Sequence, residues 1–333
     1  MTESMPGVLG IGNAIVDVLA HAEDAFLAAR GLAKGAMTLI GAEQAERLYG
    51  AMGPGTEMSG GSAANTMVGL AALGTPAAFI GRIRDDQLGT IFRHDIRAAG
   101  VAFDAQPSNR GDATARCLIF VTKDAQRTMA TYLGASVELG PEDVEAAMVE
   151  AAAITYLEGY LWDSPKAKEA FLKAARVAHA AGREVALTLS DPFCVERHRD
   201  SFKELVSGHV DLLFANEAEL TSLYEAADFD EALQAVRGHC RVAALTRSEK
   251  GAVILSGDEV HVIDAEPVAR VVDTTGAGDL YAAGFLHGYV GGRGLRECGV
   301  IGGVVAAEVI SHFGARPETP LADLVRRRLG EIR

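Results

Sequence analysis

Apolar residues fall into two kinds of stretch along this chain. Short, near-continuous runs recur at Val8-Leu9-Gly10-Ile11, Ile154-Thr155-Tyr156-Leu157, Val185-Ala186-Leu187-Thr188-Leu189, Leu212-Leu213-Phe214-Ala215, Val242-Ala243-Ala244-Leu245-Thr246 and Ala252-Val253-Ile254-Leu255. Such runs are strand-length and lack polar alternation, so they predict strands covered on both faces. Helical stretches lie between them. Asp86 to Ala99 carries Ile91, Phe92 and Ile96 on one side and meets Gly100 as its stop. Ser164-Pro165 opens another helix, which ends near Gly182, and Pro141 marks a third helix start. Ala42 to Tyr49 reads as a short helix. Leu280 to Leu286 is apolar on every side and predicts a buried helix. Val271-Val272, shortly before it, reads as a strand end. The fold class is therefore α/β, with a mostly parallel central sheet and helices on both faces.

Between 111 and 133 the pattern changes. The runs 113–121 and 127–132 are β-type and flank the turn Lys123-Asp124-Ala125-Gln126, which predicts a hairpin outside the main sheet. With segments 13–20 and 36–40 it forms a small β lid. No linker divides the chain, so residues 1–333 read as one domain, with a discontinuous lid at about 13–45 and 111–133.

The 333 residues are 49% hydrophobic, enough for a sizeable core without metal or disulfide staples. A formal net charge of -14 argues against nucleic acid and anionic membrane surfaces as partners. It also means that an anionic substrate needs local positive groups or a metal. Cys117, Cys194, Cys240 and Cys298 are far apart, and neither a CxxC pair nor an HExxH string exists, so structural or catalytic zinc is not expected. Reduced cysteines and the lack of a basic stretch before the first apolar run point to a cytoplasmic protein without a signal peptide. No apolar stretch is long enough to span a membrane. Monomer and homodimer both stay open.

Candidate chemistry gathers at two glycine strings. Gly276-Ala277-Gly278-Asp279 opens the buried helix, so unpaired backbone N–H groups and the positive end of the helix dipole make an anion site. Asp279 there is either a first-turn carboxylate that stabilises the dipole or a general base aimed at a hydroxyl. Gly60-Gly61-Ser62-Ala63-Ala64-Asn65 opens a second apolar helix. Asn65 lies one turn after Gly61 and can face the same mouth; the alternative is a helix capped by Ser62 with Asn65 in packing. Asp17, inside Ala14-Ile15-Val16-Asp17-Val18-Leu19, is either an outward strand residue or a ligand for sugar hydroxyls. Asn216-Glu217-Ala218-Glu219 is an acidic helix start or a Mg²⁺ neighbourhood. Thr246-Arg247-Ser248-Glu249-Lys250-Gly251 is a polar hairpin turn or a set of nucleotide contacts. Gly10-Ile11-Gly12 lacks the third glycine of a dinucleotide fingerprint, where Ile15 stands, and no Walker A string occurs.

Gly60 to Asn65 and Asp273-Thr274-Thr275-Gly276-Ala277-Gly278-Asp279, in this order and this far apart, resemble the two hallmark motifs of the ribokinase-like (PfkB) kinases. Asn216 to Glu219 resembles the family's N-x-x-E element. Thr246 to Gly251 resembles its T-x-G-x-x-G turn, with Ser248 at a glycine position. Gly12-Asn13 with Asp17, Tyr156-Leu157-Glu158-Gly159-Tyr160 and Leu187-Thr188-Leu189-Ser190-Asp191-Pro192-Phe193 are similar to strings of the adenosine kinases within it. The resemblance implies an ATP-dependent kinase acting on a nucleoside 5′-hydroxyl, adenosine first. Its alternatives are a sugar kinase for ribose, fructose or 2-keto-3-deoxygluconate and, more distantly, a non-catalytic sensor. It makes Asp279 the general base and Gly276, Ala277 and Gly278 the anion hole. Asn13, Asp17, Gly60, Gly61, Ser62, Asn65 and Tyr160 would bind the acceptor, and Arg127 in the lid would meet phosphate charge. ATP would meet Asn216, Thr246, Arg247, Gly251, Thr275 and Gly278. Mg²⁺ would sit near Asn216 and Glu219 through water. A monovalent cation such as K⁺ would sit near Asp273 and the Gly314 region. The family's base-stacking aromatic aligns with Leu161, between Tyr160 and Trp162.

Overall fold

A parallel strand buried on both faces sends alternate side chains into two separate cores, and this molecule has that arrangement. The computed structural model describes residues 7–124 and 126–331, so Ala125 of the expected turn lies outside the described residues. In chain order its strands are β1 (Val8–Ile11), β2 (Ile15–His21), β3 (Met37–Leu39), β4 (Gly55–Gly60), β5 (Ala77–Ile80), β6 (Ala115–Val121), β7 (Arg127–Tyr132), β8 (Ile154–Glu158), β9 (Glu184–Thr188), β10 (Leu212–Asn216), β11 (Val242–Thr246), β12 (Ala252–Ser256) and β13 (Glu259–Ile263). An eight-stranded sheet runs β13-β12-β11-β10-β9-β8-β1-β5, parallel from β11 to β5.

The strand residues divide by parity. Tyr156, Ala186, Leu212 and Phe214 join one core with Met67, Tyr281 and Phe285 from the helices Ser62–Ala72 and Ala277–Val290. Leu157, Val185, Leu187 and Leu213 join the other with Phe171 and Phe202 from the helices Pro165–Ala180 and Pro192–His209. The expected helix at 86–99 forms as Gln87–Ala98, with Asp86 accepting at 2.8 Å from the Gly89 N–H as its cap. Among the described residues no helix is long and apolar enough to cross a membrane. All four cysteines are free.

Three expectations are corrected. Ala252–Ser256 is a strand, but it pairs antiparallel with β11, and β13 pairs antiparallel with β12. The tight turn before Gly251 returns the chain directly, whereas a parallel neighbour would need a crossover. Val271-Val272 ends no strand: β13 stops at Ile263, and the Val272 N–H instead donates at 2.8 Å to Ile310 O, a carbonyl at the end of the helix Leu295–Val309. Ser62 does not cap its helix. Gly61 occupies the cap position, leaving the Ser62 hydroxyl for another partner.

The second sheet, β3-β7-β6-β2-β4, hereafter the lid, is where the strands expected of a lid lie. It holds the expected hairpin, with β6 antiparallel to β7, and both other expected segments. It also holds β4, antiparallel to β2, which lies outside the segments 13–45 and 111–133. Gly53-Pro54-Gly55 masks that strand in the sequence, because its turn chemistry precedes a stretch with little apolar character. One lid face packs Val16, Val18, Leu118, Phe120 and Ala130 onto Leu27, Ala45 and Leu48. The pairing Asp17 with Cys117, Cys117 with Thr131 and Ile119 with Met129 puts these residues on the opposite face.

The helix Ala277–Val290 is seated where nothing larger than glycine fits: a Cβ on Gly284 would stand 2.7 Å from Ile301 O and 2.9 Å from Gly302 Cα. Both are backbone atoms of the neighbouring helix and cannot swing aside. Gly284→Val is expected to cost about 1–3 kcal/mol through overpacking, read as a lower midpoint in urea denaturation. A wild-type midpoint would contradict this close approach.

Candidate active site

Parallel α/β sheets bind ligands beyond the carboxyl ends of their strands, at the point where the strand order reverses. Here that point lies between β1 and β8, because the chain leaves β1 for β5 on one side and later continues from β8 on the other. Asn13 follows β1 and Glu158 ends β8. They meet across the crevice: Asn13 Nδ2 donates to Glu158 Oε1 at 2.5 Å, and Glu158 Oε2 accepts from the N–H groups of Asn13 at 3.3 Å and Ala63 at 2.9 Å. Burial pushes the Glu158 carboxyl up to about 7, against the pull of these hydrogen bonds. Asn13 Oδ1 is left buried without a partner, an acceptor ready for a hydroxyl.

The two glycine strings converge on this crevice. Gly61 has φ +98°, and a Cβ there would strike Asn13 O, so only glycine lets the chain turn from β4 into the helix Ser62–Ala72. Gly276 has φ +77° and abuts Ala315 in the same way. The two helices touch at Gly69, where a Cβ would lie 2.7 Å from Ala283 Cβ and 2.8 Å from Leu280 Cδ1. Contact at this depth brings their first turns together. Asp279 Oδ1 accepts from Ser62 Oγ at 2.6 Å, and Oδ2 from Asn65 Nδ2 at 3.0 Å. Burial raises the Asp279 carboxyl above its ordinary value, while Ser62, Asn65 and the Arg316 charge favour the carboxylate. Gly278 beside it is exposed, with open space where a Cβ would be, so a phosphate can approach the backbone there. Ala277 differs from expectation: its N–H already donates to Thr274 O at 3.2 Å.

Asp17 lies on the lid face that looks onto this mouth, half-buried, with its carboxylate against the Cα of Gly60. Burial pushes it up to about 6, opposed by Arg316 and Arg127. Arg127 reaches from β7 into the Asp273 to Asp279 string, pairing Nη1 with Asp273 Oδ2 at 2.7 Å and Thr275 Oγ1 at 3.3 Å. Its Nε and Nη2 are buried and unpaired, two donors suited to an anion.

Asp273 itself is saturated. Oδ1 accepts from the Thr275 N–H at 3.1 Å and its hydroxyl at 2.8 Å, and Oδ2 from the Gly314 N–H at 2.9 Å as well as from Arg127. A carboxylate has about four lone-pair sites, so the residue implied as a monovalent-cation ligand serves here as the knot of its own loop. Asn216 and Glu219 form a reciprocal cap. Asn216 Oδ1 accepts from the Glu219 N–H at 2.8 Å, and Glu219 accepts from Asn216 N at 3.0 Å and Nδ2 at 2.7 Å. Glu219 is pushed up to about 7 by burial, and the charges acting on it, Asp191 and Asp279, share its sign. Burial drives this carboxyl toward its neutral form, and a Mg²⁺ ion reached through water would favour the ionised one.

Thr246 ends β11, and Gly251 turns the chain at φ +80°. Ser248 holds φ +51°, the left-handed backbone that a glycine takes freely. Arg247 is occupied: its guanidinium grips Glu217 through two bonds of 3.1 Å and lies 3.9 Å over the Phe229 ring. Of the three residues near the expected base-stacking position, Leu161 and Trp162 are core residues and Tyr160 is exposed at the rim. Arg316 was missed by sequence reasoning. It is a lone cation in an irregular loop, and only its proximity to Gly314 gives a signal.

A family description for pfkB family carbohydrate kinases matches residues 32–322. An ATP-dependent ribose-1-phosphate kinase from Halopiger xanaduensis is 30% identical over 281 residues, covering 83% of this chain and 88% of its own length. The crystal structure of adenosine kinase from Sinorhizobium meliloti superposes with a TM-score of 0.90 at 54% identity, covering 97% of this chain and 99% of that one. A probable sugar kinase from Rhizobium etli CFN 42 superposes with a TM-score of 0.91 at 53% identity, covering 98% and 99%. The chain belongs to the pfkB family of carbohydrate kinases and is an ATP-dependent kinase with a hydroxyl group as acceptor.

Proposed function

We propose that the chain transfers the γ-phosphoryl group of ATP to the 5′-hydroxyl of a nucleoside, adenosine first, giving AMP. The observation that carries this reading is the composition of the lid face. Asp17 shares its row of that face with Cys117 and Thr131, and the next row is apolar, Leu19 and Met129 half-buried on either side of the buried Ile119, a hydroxyl ligand beside an apolar stretch. A nucleoside has that division, a polyhydroxylated ribose joined to a flat base, whereas a free sugar has no part for the apolar stretch. The likeness to the Sinorhizobium meliloti adenosine kinase supports the same assignment. A sugar kinase is the second reading, favoured by the Rhizobium etli relative and by the absence of an aromatic at Leu161.

In this reading Asp17, Asn13 Oδ1 and the Gly60-Gly61 backbone hold the ribose. Asp279, steadied by Ser62 and Asn65, accepts the proton of the 5′-hydroxyl as its oxygen bonds to phosphorus and the bond to the ADP oxygen breaks. Free N–H groups at Gly278 and Asp279, together with Arg127, meet the charge of the transferring group. Mg²⁺, reached through water from Asn216 and Glu219, would supply further charge neutralisation. Thr246, Thr275 and Gly251 line the approach for ATP, and lid closure would keep water from the phosphoryl group.

Asp279→Asn is expected to fold normally and to lose about 10²–10⁴-fold in kcat, measured by coupled ADP release. Near wild-type turnover would remove Asp279 as base. Asp17→Ala should raise the acceptor KM and leave the KM for ATP unchanged; an unchanged acceptor KM would take Asp17 out of the acceptor site. A panel of adenosine, inosine, guanosine, ribose, fructose and 2-keto-3-deoxygluconate should give turnover with adenosine. Turnover confined to free sugars would reject the nucleoside reading in favour of the second.

A further inference from the structure

Arg316 lies in the loop between the helices Leu295–Val309 and Leu321–Glu331, yet its head reaches the lid. Its Nη2 donates to the Ser59 carbonyl and, at 2.8 Å, to Ser59 Oγ. Ser59 in turn donates its N–H at 2.7 Å and its hydroxyl at 2.5 Å to Asp95 Oδ2 on the helix Gln87–Ala98. A single serine thus accepts from the guanidinium and donates to a carboxylate. The residue after Ser59 is Gly60, against which the Asp17 carboxylate lies. Arg316 Nη1 is buried with no partner.

We propose that Arg316 is a positioning residue for the acceptor, held by the Asp95–Ser59 pair so that its charge sits one residue along β4 from Gly60, the glycine against which the Asp17 carboxylate lies. This rests on the reading of Asp17 as an acceptor ligand. A carboxylate in a buried site grips hydroxyls strongly only when ionised, and burial works against ionisation. The groups facing Asp17 are Arg316, Arg127 and Asp279, with Cys117 across from it on β6. The Cys117 thiol is pushed up to about 12 by burial and stays neutral. Around Arg316 itself stand Asp95, Asp17 and Asp279. Arg316 and Arg127 both favour the Asp17 carboxylate, and Asp279 opposes it. Arg127 is already paired with Asp273, which leaves Arg316 as the group that keeps Asp17 charged. Removing it raises the Asp17 carboxyl further, so acceptor binding is lost at a higher pH as the solution is acidified.

Arg316→Met removes the charge and keeps most of the stem, while Arg316→Lys restores a charge. In the protein alone, the ¹³C carboxyl resonance of Asp17, identified by its loss in Asp17→Asn, should titrate about one pH unit higher in Arg316→Met and return toward wild type in Arg316→Lys. An unchanged midpoint would overturn the proposal. The adenosine Kd of Arg316→Met, measured without ATP so that no proton transfer at Asp279 enters, should rise about tenfold near pH 5 and return to within about twofold of wild type at roughly pH 8.5. A loss of equal size at every pH is what a purely structural arginine gives and would also overturn it. If Asp17→Ala leaves the adenosine KM unchanged, the acceptor-site reading fails; the carboxyl titration decides separately whether Arg316 acts on Asp17.

Discussion

The site depends on two helices meeting without side chains between them. At Gly69 the helix Ser62–Ala72 touches Ala283 and Leu280 of the helix Ala277–Val290 at a spacing that no larger residue allows. Their N-termini then open on the same crevice, and the carboxylate of one falls within hydrogen-bond reach of the serine and asparagine of the other. Neither first turn has this chemistry alone. Asp279 without Ser62 and Asn65 is a dipole-stabilising carboxylate; with them it has a fixed orientation and a fixed neighbour.

Charge is managed by the same economy of contacts. The chain carries a formal net charge of -14, and its crevice gathers Asp17, Glu158, Glu219 and Asp279, all pushed toward protonation by burial. Each is kept useful by a different device. Glu158 is held by three N–H donors, Asp279 by two side chains, and Glu219 by its own helix cap. Two arginines bring positive charge from opposite directions. Arg127 comes from the lid to the body, and Arg316 comes from the body to the lid. The lid is therefore tied to the core through two arginines, so its position and the electrostatics of the crevice are coupled.

Much of this was legible in the residues themselves. The runs beginning at Val8, Ile154, Val185, Leu212 and Val242 announce a parallel sheet because both their faces are buried, and burial on both faces leaves a near-unbroken apolar run. The two glycine strings announce turns into apolar helices, and what they share is left to the fold, since a glycine pair before such a helix is common. Asn65 one turn after Gly61 and Asp279 in a first turn can face one mouth, and their side chains do meet; Asp17, which spacing leaves open between an outward strand residue and a hydroxyl ligand, lies against Gly60. These signals are local: a period, a turn, a first-turn carboxylate.

What escaped is long-range. β4 has weak strand character and exists because β2 offers it an edge. Val271-Val272 has strong strand character and forms none, because its backbone finds a helix end instead. Arg247 is paired with Glu217 and stacked on Phe229, contacts that its neighbours in the chain do not announce. Glu158 and Arg316 sit 145 and 257 residues from Asn13 and Ser59, the partners that give them meaning. Sequence decides what each short segment prefers, since those preferences come from neighbours in the chain. Which buried charges face one another depends on how the segments cross, and only the folded chain sets that.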